Sequence, residues 1–273
     1  MQFDEQRALF DYDKQQPFDV QEISSEQREG AIIKDISFTV IADNAPVSAY
    51  LVTPDTEGQH AAILWMHWLG EENCNRDEFL EDALVLAKLG VVSLLPNAMW
   101  SAEKWYENRI PEEDYANGIH QVIEICRAMD LLTSQPTVDK NRVAFVGHDF
   151  GAMYGTLAAA IQNTAKAYVF MALAPSFFDW AFFAKQPESR VDYIRQNAVL
   201  EPYDYLKQIK DASILFQYAK NDIYIGYTKR AEWVHQAPEP HELKVYDDAD
   251  HSMQKPEIKS ERLAWLKAQL ALD

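Results

Sequence analysis

The chain contains two cysteines in 273 residues, Cys74 and Cys126, too few for a disulfide framework and suited to a reducing compartment. Positive charge is also scarce. Lysine and arginine number 25 against 43 aspartates and glutamates, a formal net charge of −18. A surface of that sign repels polyanions, which argues against nucleic acid and anionic membranes as partners. Every apolar run falls far short of the roughly 20 residues that span a bilayer. The N-terminus, Met1-Gln-Phe-Asp-Glu-Gln-Arg, lacks a basic stretch followed by an apolar one, so no signal peptide is expected and the chain is placed in the cytoplasm. Neither the glycine-rich nucleotide-binding motifs nor His-Glu-x-x-His occurs, so no cofactor and no metal are expected.

What is present is ample core material, 48% hydrophobic residues, in an ordered pattern. Residues 1–30 are polar and read as a short irregular wrap. Ile36-Ser-Phe-Thr-Val-Ile and Val47-Ser-Ala-Tyr-Leu-Val alternate around Asp43-Asn44-Ala45-Pro46, which predicts an antiparallel hairpin. Short, nearly continuous apolar runs then begin at Ala61, Val91, Val143, Ala167 and Ile214, the pattern of parallel strands buried on both faces. Amphipathic segments separate them: Phe79 to Leu89, Tyr115 to Met129, the stretch after Gly151, and Ile258 to Leu272, the last following a strand around Leu243-Lys-Val-Tyr. The expectation is one α/β domain over residues 1–273, a doubly wound, mostly parallel sheet with an antiparallel start. Residues 175–210 interrupt the alternation. They are rich in aromatics and broken by Pro187 and Pro202, and read as a small lid-like excursion.

The most telling segment is Gly147-His148-Asp149-Phe150-Gly151, directly after Arg142-Val-Ala-Phe-Val146. It has the form of a nucleophile elbow, a strained strand-to-helix turn with glycines where side chains would collide. Its central residue is aspartate. Ligands of open α/β sheets bind beyond the carboxyl ends of the strands, and two further groups follow strand ends: Asp222 after Ile214-Leu-Phe-Gln-Tyr-Ala, and His251 after the strand near Val245. Nucleophile, acid and histidine in that order form a candidate triad of Asp149, Asp222 and His251. Plainer readings exist for each: Asp149 as a helix N-cap, Asp222 as a loop carboxylate with Asp179 as rival acid, His251 as a surface histidine. Asp247, Asp248 and Asp250 read as a solvated acidic turn, and His67, His120 and His148 as packing or neighbouring groups. An oxyanion hole needs two backbone N–H donors; Phe150 and, from the loop His67-Trp68-Leu69-Gly70, Trp68 are the candidates. Trp100, Trp180 and Tyr203 are candidate pocket residues, with Trp105, Tyr106 and Arg109 nearby in sequence.

These motifs resemble the α/β-hydrolase superfamily from about residue 31 onward. The lead-in Thr137-Val-Asp-Lys-Asn-Arg-Val-Ala-Phe-Val-Gly, the modest excursion and the acid segment Leu-Phe-Gln-Tyr-Ala-Lys-Asn-Asp are similar to dienelactone-hydrolase-like and acetyl-esterase-like enzymes. The Gly-His-Asp-Phe-Gly elbow resembles haloalkane dehalogenases and epoxide hydrolases instead. The chain departs from each. No cysteine occupies the elbow, and Phe150 stands where dehalogenases usually carry a halide-binding tryptophan, a role left to Trp68 or Trp180. The proton-donating lid tyrosines of epoxide hydrolases would have to come from Tyr193, Tyr203 and Tyr205.

An aspartate attacking an ordinary ester would form an anhydride by expelling an alkoxide, so the adduct would collapse backwards. Attack on a saturated carbon bearing halide or strained oxygen leaves a stable alkyl ester, which His251 could hydrolyse by activating water. Three alternatives stay open: an ester or lactone hydrolase with Asp149 as general base, a non-catalytic binding protein on a hydrolase scaffold, and an aspartate standing in place of a natural serine. The expected partner is a small molecule, apolar or aromatic, with a homodimer as the default assembly.

Overall fold

The computed structural model describes residues 2–272 apart from 42–44, 71–74, 184, 227–229 and 231–232; the Asp43-Asn44 part of the expected turn and Cys74 lie outside the described residues. The strands are β1 (Gln21–Arg28), β2 (Ala31–Phe38), β3 (Val47–Pro54), β4 (His60–Met66), β5 (Val91–Pro96), β6 (Val138–His148), β7 (Ala167–Met171), β8 (Ser213–Ala219) and β9 (His241–Tyr246). They join one sheet in the order β1-β2-β3-β5-β4-β6-β7-β8-β9. Pairing is antiparallel from β1 through β3 to β5, with Phe38 opposite Val47, and parallel from β5 through β4 to β9.

This is the doubly wound sheet with an antiparallel start that the apolar patterning predicts. All seven residues of β4 and all six of β5 are buried, as strands covered on both faces must be. Helices α1 (Phe3–Ala8), α2 (Leu80–Ala87), α3 (Trp105–Asn108), α4 (Asp114–Ser134) and α5 (Phe150–Gln162) precede a run of short ones, α6 (Phe178–Ala181), α7 (Arg190–Asn197) and α8 (Pro202–Tyr205); α9 (Pro256–Gln269) closes the chain. The long helices pack in two groups, α4 on α5 and α9 on α2.

The N-terminal reading needs correction. Residues 21–28 are not irregular: they form β1, an edge strand in register with β2. Almost all of its residues are exposed, so it carries none of the apolar alternation that marks a half-buried strand. Phe10 is buried in the core, and the Arg127 guanidinium donates to the Gln16 carbonyl and lies against the Phe18 ring. The segment before β1 is thus fastened to α4.

Candidate active site

The apolar run of β6 delivers the chain into the elbow. Asp149 has φ 51° and ψ −114°, a conformation that costs a non-glycine residue about 1–3 kcal/mol. Its own N–H donates to the Met171 carbonyl (2.9 Å), and its carbonyl accepts from Met153 N (2.8 Å). A Cβ added at Gly151 would stand 2.3 Å from the Met66 carbonyl oxygen, and one at Gly147 would stand 2.6 Å from that of Gly151. The two glycines are sterically required.

The three groups expected to form the triad meet here. His251 Nδ1 lies 2.8 Å from Asp222 Oδ2, while Nε2 faces Asp149 Oδ1 at 3.4 Å, an ion-pair separation. The other Asp222 oxygen accepts from the backbone N–H groups of Tyr224 (2.9 Å) and Ile225 (3.1 Å). Burial raises the Asp222 carboxyl, but His251 and those two donors outweigh it and leave the group below its usual range. Burial in turn pushes His251 down; the flanking carboxylates of Asp149 and Asp222 overcome this and hold it at about 10. The resting site is an imidazolium between two carboxylates. Asp179, the rival acid, is exposed on α6 and lines a different cavity, with Glu201 and Trp233.

Asp149 has two unlike oxygens. Oδ2 accepts from Leu69 N at 3.2 Å; Oδ1 is buried without a hydrogen-bond partner. Phe150 is the first residue of α5, where a backbone N–H has no intrahelical acceptor. The expectation for Trp68 is overturned: its N–H donates to Glu78 Oε2 at 2.8 Å, and the donor that reaches Asp149 comes from the next residue, Leu69.

Glu78 is a group the sequence reading missed. Its second oxygen lies 2.6 Å from His148 Nδ1, and His148 Nε2 donates to the His251 carbonyl at 2.9 Å. Trp68 stacks on His148 with ring centroids 5.0 Å apart. The loop after β4, the elbow and the loop carrying His251 are thereby tied through one carboxylate. No local pattern marks Glu78, because every partner except Trp68 is distant in sequence. His67 accepts from Ala98 N and joins Ser101 Oγ, anchoring the same loop from beneath. His120 sits on α4, 3.5 Å from Glu124.

A cleft of about 430 Å³ opens over His251, lined by Trp68, Leu69, Tyr106, Trp180 and Tyr224. Trp180 also closes a nearly filled inner pocket of about 30 Å³ beside Phe150, Trp105 and Tyr154. The other two pocket candidates are corrected. Trp100 is buried behind Phe150 and Tyr154, its indole N–H donating to the His67 carbonyl at 3.3 Å. Tyr203 lines a separate cavity of about 340 Å³ with Glu201 and Trp233. None of the three expected lid tyrosines offers its hydroxyl to Asp149: Tyr193 donates to Asp114, Tyr205 to the Val199 carbonyl, and Tyr203 accepts from Gln236. Arg109, 3.3 Å from Asp114, also donates to the Ala181 carbonyl, so it fastens the excursion to the start of α4.

No group of three or more histidine, cysteine, aspartate or glutamate side chains among the described residues could hold a metal ion. No helix among them is long and apolar enough to cross a membrane.

Solved structures with this fold include an acetyl xylan esterase from Paenibacillus sp. R4, 19% identical over 97% of this chain and 92% of that one, with a TM-score of 0.79. Acetyl xylan esterase 1 from Thermoanaerobacterium sp. JW/SL YS485 is 18% identical over 98% and 93%, TM-score 0.76. An S-formylglutathione hydrolase from Agrobacterium tumefaciens is 16% identical over 91% and 99%, TM-score 0.69. At such identities the shared property is the fold. No curated protein is detectably similar in sequence. The model of the prolyl oligopeptidase family matches residues 77–272, a span that takes in the elbow, Asp222 and His251 and most of the sheet. The chain therefore belongs to the prolyl oligopeptidase family, a hydrolase with the α/β-hydrolase fold.

Proposed function

We propose that the protein hydrolyses a bond at a saturated carbon, with Asp149 as nucleophile and His251, oriented by Asp222, as the base that activates water. One observation carries this reading: the Leu69 N–H that a serine enzyme would aim at its substrate is aimed here at Asp149 Oδ2. A donor in that place serves a reaction in which the carboxyl group of Asp149 is itself attacked.

In the first step Oδ1 attacks the carbon, a C–O bond forms, and the carbon–halogen or carbon–oxygen bond breaks with its electron pair on the departing atom. Alkylation removes the negative charge of Asp149, so the carboxylate opposite Nε2 no longer favours the imidazolium. The Nε2 proton leaves with the departing group or to solvent, and His251 becomes a neutral base. Water then bonds to Cγ of Asp149 while His251 takes its proton. Leu69 N–H and Phe150 N–H hold the oxyanion that develops on Oδ2. Collapse expels the alcohol, which takes the proton from His251 and leaves Asp149 as a carboxylic acid; that acid then passes its proton to His251, restoring the carboxylate and the imidazolium. The shape of the cleft suits a small molecule.

The test is a single turnover in H₂¹⁸O against panels of haloalkanes, epoxides and esters, followed by digestion and mass measurement of the peptide bearing Asp149. The nucleophilic mechanism predicts that ¹⁸O enters Asp149 and that the first alcohol released is unlabelled. Turnover that labels the product and leaves Asp149 unlabelled would assign Asp149 the role of general base on an ester or lactone.

A further inference from the structure

The two ends of the cleft differ in chemistry. Asp149 is buried against Leu69 and His251, two of the residues that line it, and the aromatic inner pocket adjoins it at Trp180. At its mouth stand two carboxylates, Glu107 and Asp250, both on exposed residues, and no lysine or arginine is among the described residues that line it. The wall is aromatic. Trp180 and Tyr224 stack with centroids 5.1 Å apart. Tyr224 and His251 meet in a T-shaped contact with centroids 5.0 Å apart, and Phe183, on the rim, meets Tyr224 at 6.4 Å.

Formal charge in this space is negative despite the imidazolium. Asp149, Asp222 and His251 sum to −1 (two carboxylates, one cation), and Glu107 and Asp250 bring the total to −3. Arg109, the one arginine among the described residues lining the inner pocket, lies beside Asp114 there. The Arg109 guanidinium is paired with Asp114 and donates to the Ala181 carbonyl, and the Lys185 ammonium donates to the Arg109 carbonyl. Aromatic walls with carboxylates at the rim stabilise an organic cation through ring quadrupoles and Coulomb attraction. The same arrangement repels a carboxylate- or phosphate-bearing molecule.

We propose that the cleft selects substrates carrying a positively charged organic group, of the alkylammonium class, which rests between Trp180, Tyr224 and the two rim carboxylates while the reacting carbon points inward. The proposal rests on the reading of Asp149 as nucleophile only for the reaction that follows binding; the recognition itself does not depend on it. It narrows the substrate from any apolar molecule to one with a cationic head. The net charge of −18 acts in the same direction by raising the local concentration of cations.

The experiment uses the unaltered protein and probes matched in shape but not in charge. Phenyltrimethylammonium and tert-butylbenzene, neither of which has a scissile bond, are compared for binding by quenching of tryptophan fluorescence. Glycidyltrimethylammonium and (2-bromoethyl)trimethylammonium are compared with their all-carbon isosteres for turnover. The cation of each pair is expected to bind about tenfold or more tightly at low ionic strength, and the advantage is expected to shrink as salt is added. It should shrink again in the double variant Glu107→Gln, Asp250→Asn. Equal binding of the two shapes, or tighter binding of the neutral one, overturns the proposal. So does a cation preference that survives both the salt and the double substitution. Because the binding pair is unreactive, either result leaves the ¹⁸O experiment on Asp149 to be decided independently.

Discussion

Placing a carboxylate in the elbow divides one residue between two tasks. Oδ2 accepts from the Leu69 N–H and Oδ1 faces His251, so charge on Asp149 and charge on His251 are coupled. Asp149→Asn is therefore expected to abolish turnover and to lower the His251 pKa from about 10, since the carboxylate opposite Nε2 is removed; imidazole chemical shifts followed by NMR against pH measure the change. Retention of the high value in the variant would show that Asp222 alone sets it. Asp149, Asp222 and His251 were legible as a group because each follows a strand in the parallel part of the sheet, and strand ends are where an open α/β sheet presents chemistry. The backbone donor that reaches Asp149 lies one residue beyond the Trp68 expected. Its register is set by the long-range bond from Trp68 N to Glu78, and nothing in the spacing of the loop encodes that. Aromatic residues were legible as a class but not by direction: Trp180 lines the cleft, Trp100 backs it, and Tyr203 belongs to another cavity.

Among the elements, the buried strands and long helices were read from periodicity, whereas β1 was not, because an exposed edge strand need not alternate. The excursion over residues 175–210 illustrates a further limit. Its aromatics and prolines mark it as irregular, but the contacts that fasten it come from elsewhere. Arg109 joins Asp114 at the head of α4 to the Ala181 carbonyl at the end of α6, and Tyr193 on α7 donates to the same Asp114 at 2.6 Å. Breaking one partner of a buried ion pair leaves the other charge uncompensated, at a cost of about 3–5 kcal/mol. Arg109→Ala is expected to lose stability on that scale in denaturant melts and to speed proteolysis within 175–210. A variant that melts like the parent with an unchanged cleavage pattern would mean that packing, not this network, holds the excursion.

Across the whole molecule, ionisation and folding are linked most simply above neutrality. His251 binds a proton in the folded protein up to about 10, against 6.5 for an ordinary histidine. The folded state therefore holds more protons than the unfolded state in that interval, and stability present below 6.5 is lost as pH rises towards 10. Glu124 and Glu201, raised by burial to about 7, act with the same sign, but their effect is complete near neutrality. Between pH 7 and 9 the expected slope is close to one proton, about 1.4 kcal/mol lost per pH unit. Unfolding free energies measured across that range check it, and His251→Gln should flatten the dependence. A parent protein whose stability is constant from pH 7 to 9 would refute the imidazolium assignment.

The inequivalence of the two Asp149 oxygens also gives the enzyme an isotopic memory. If the carboxylate cannot rotate in its buried seat, the oxygen held by Leu69 stays there through every cycle, while the oxygen supplied by water becomes the next attacking atom. After many turnovers in H₂¹⁸O each Asp149 would then carry a single heavy atom, and from the second cycle onward every alcohol released would be labelled. A carboxylate free to flip would instead exchange both positions and end doubly labelled. The distribution of label in one peptide thus counts rotations of a buried side chain.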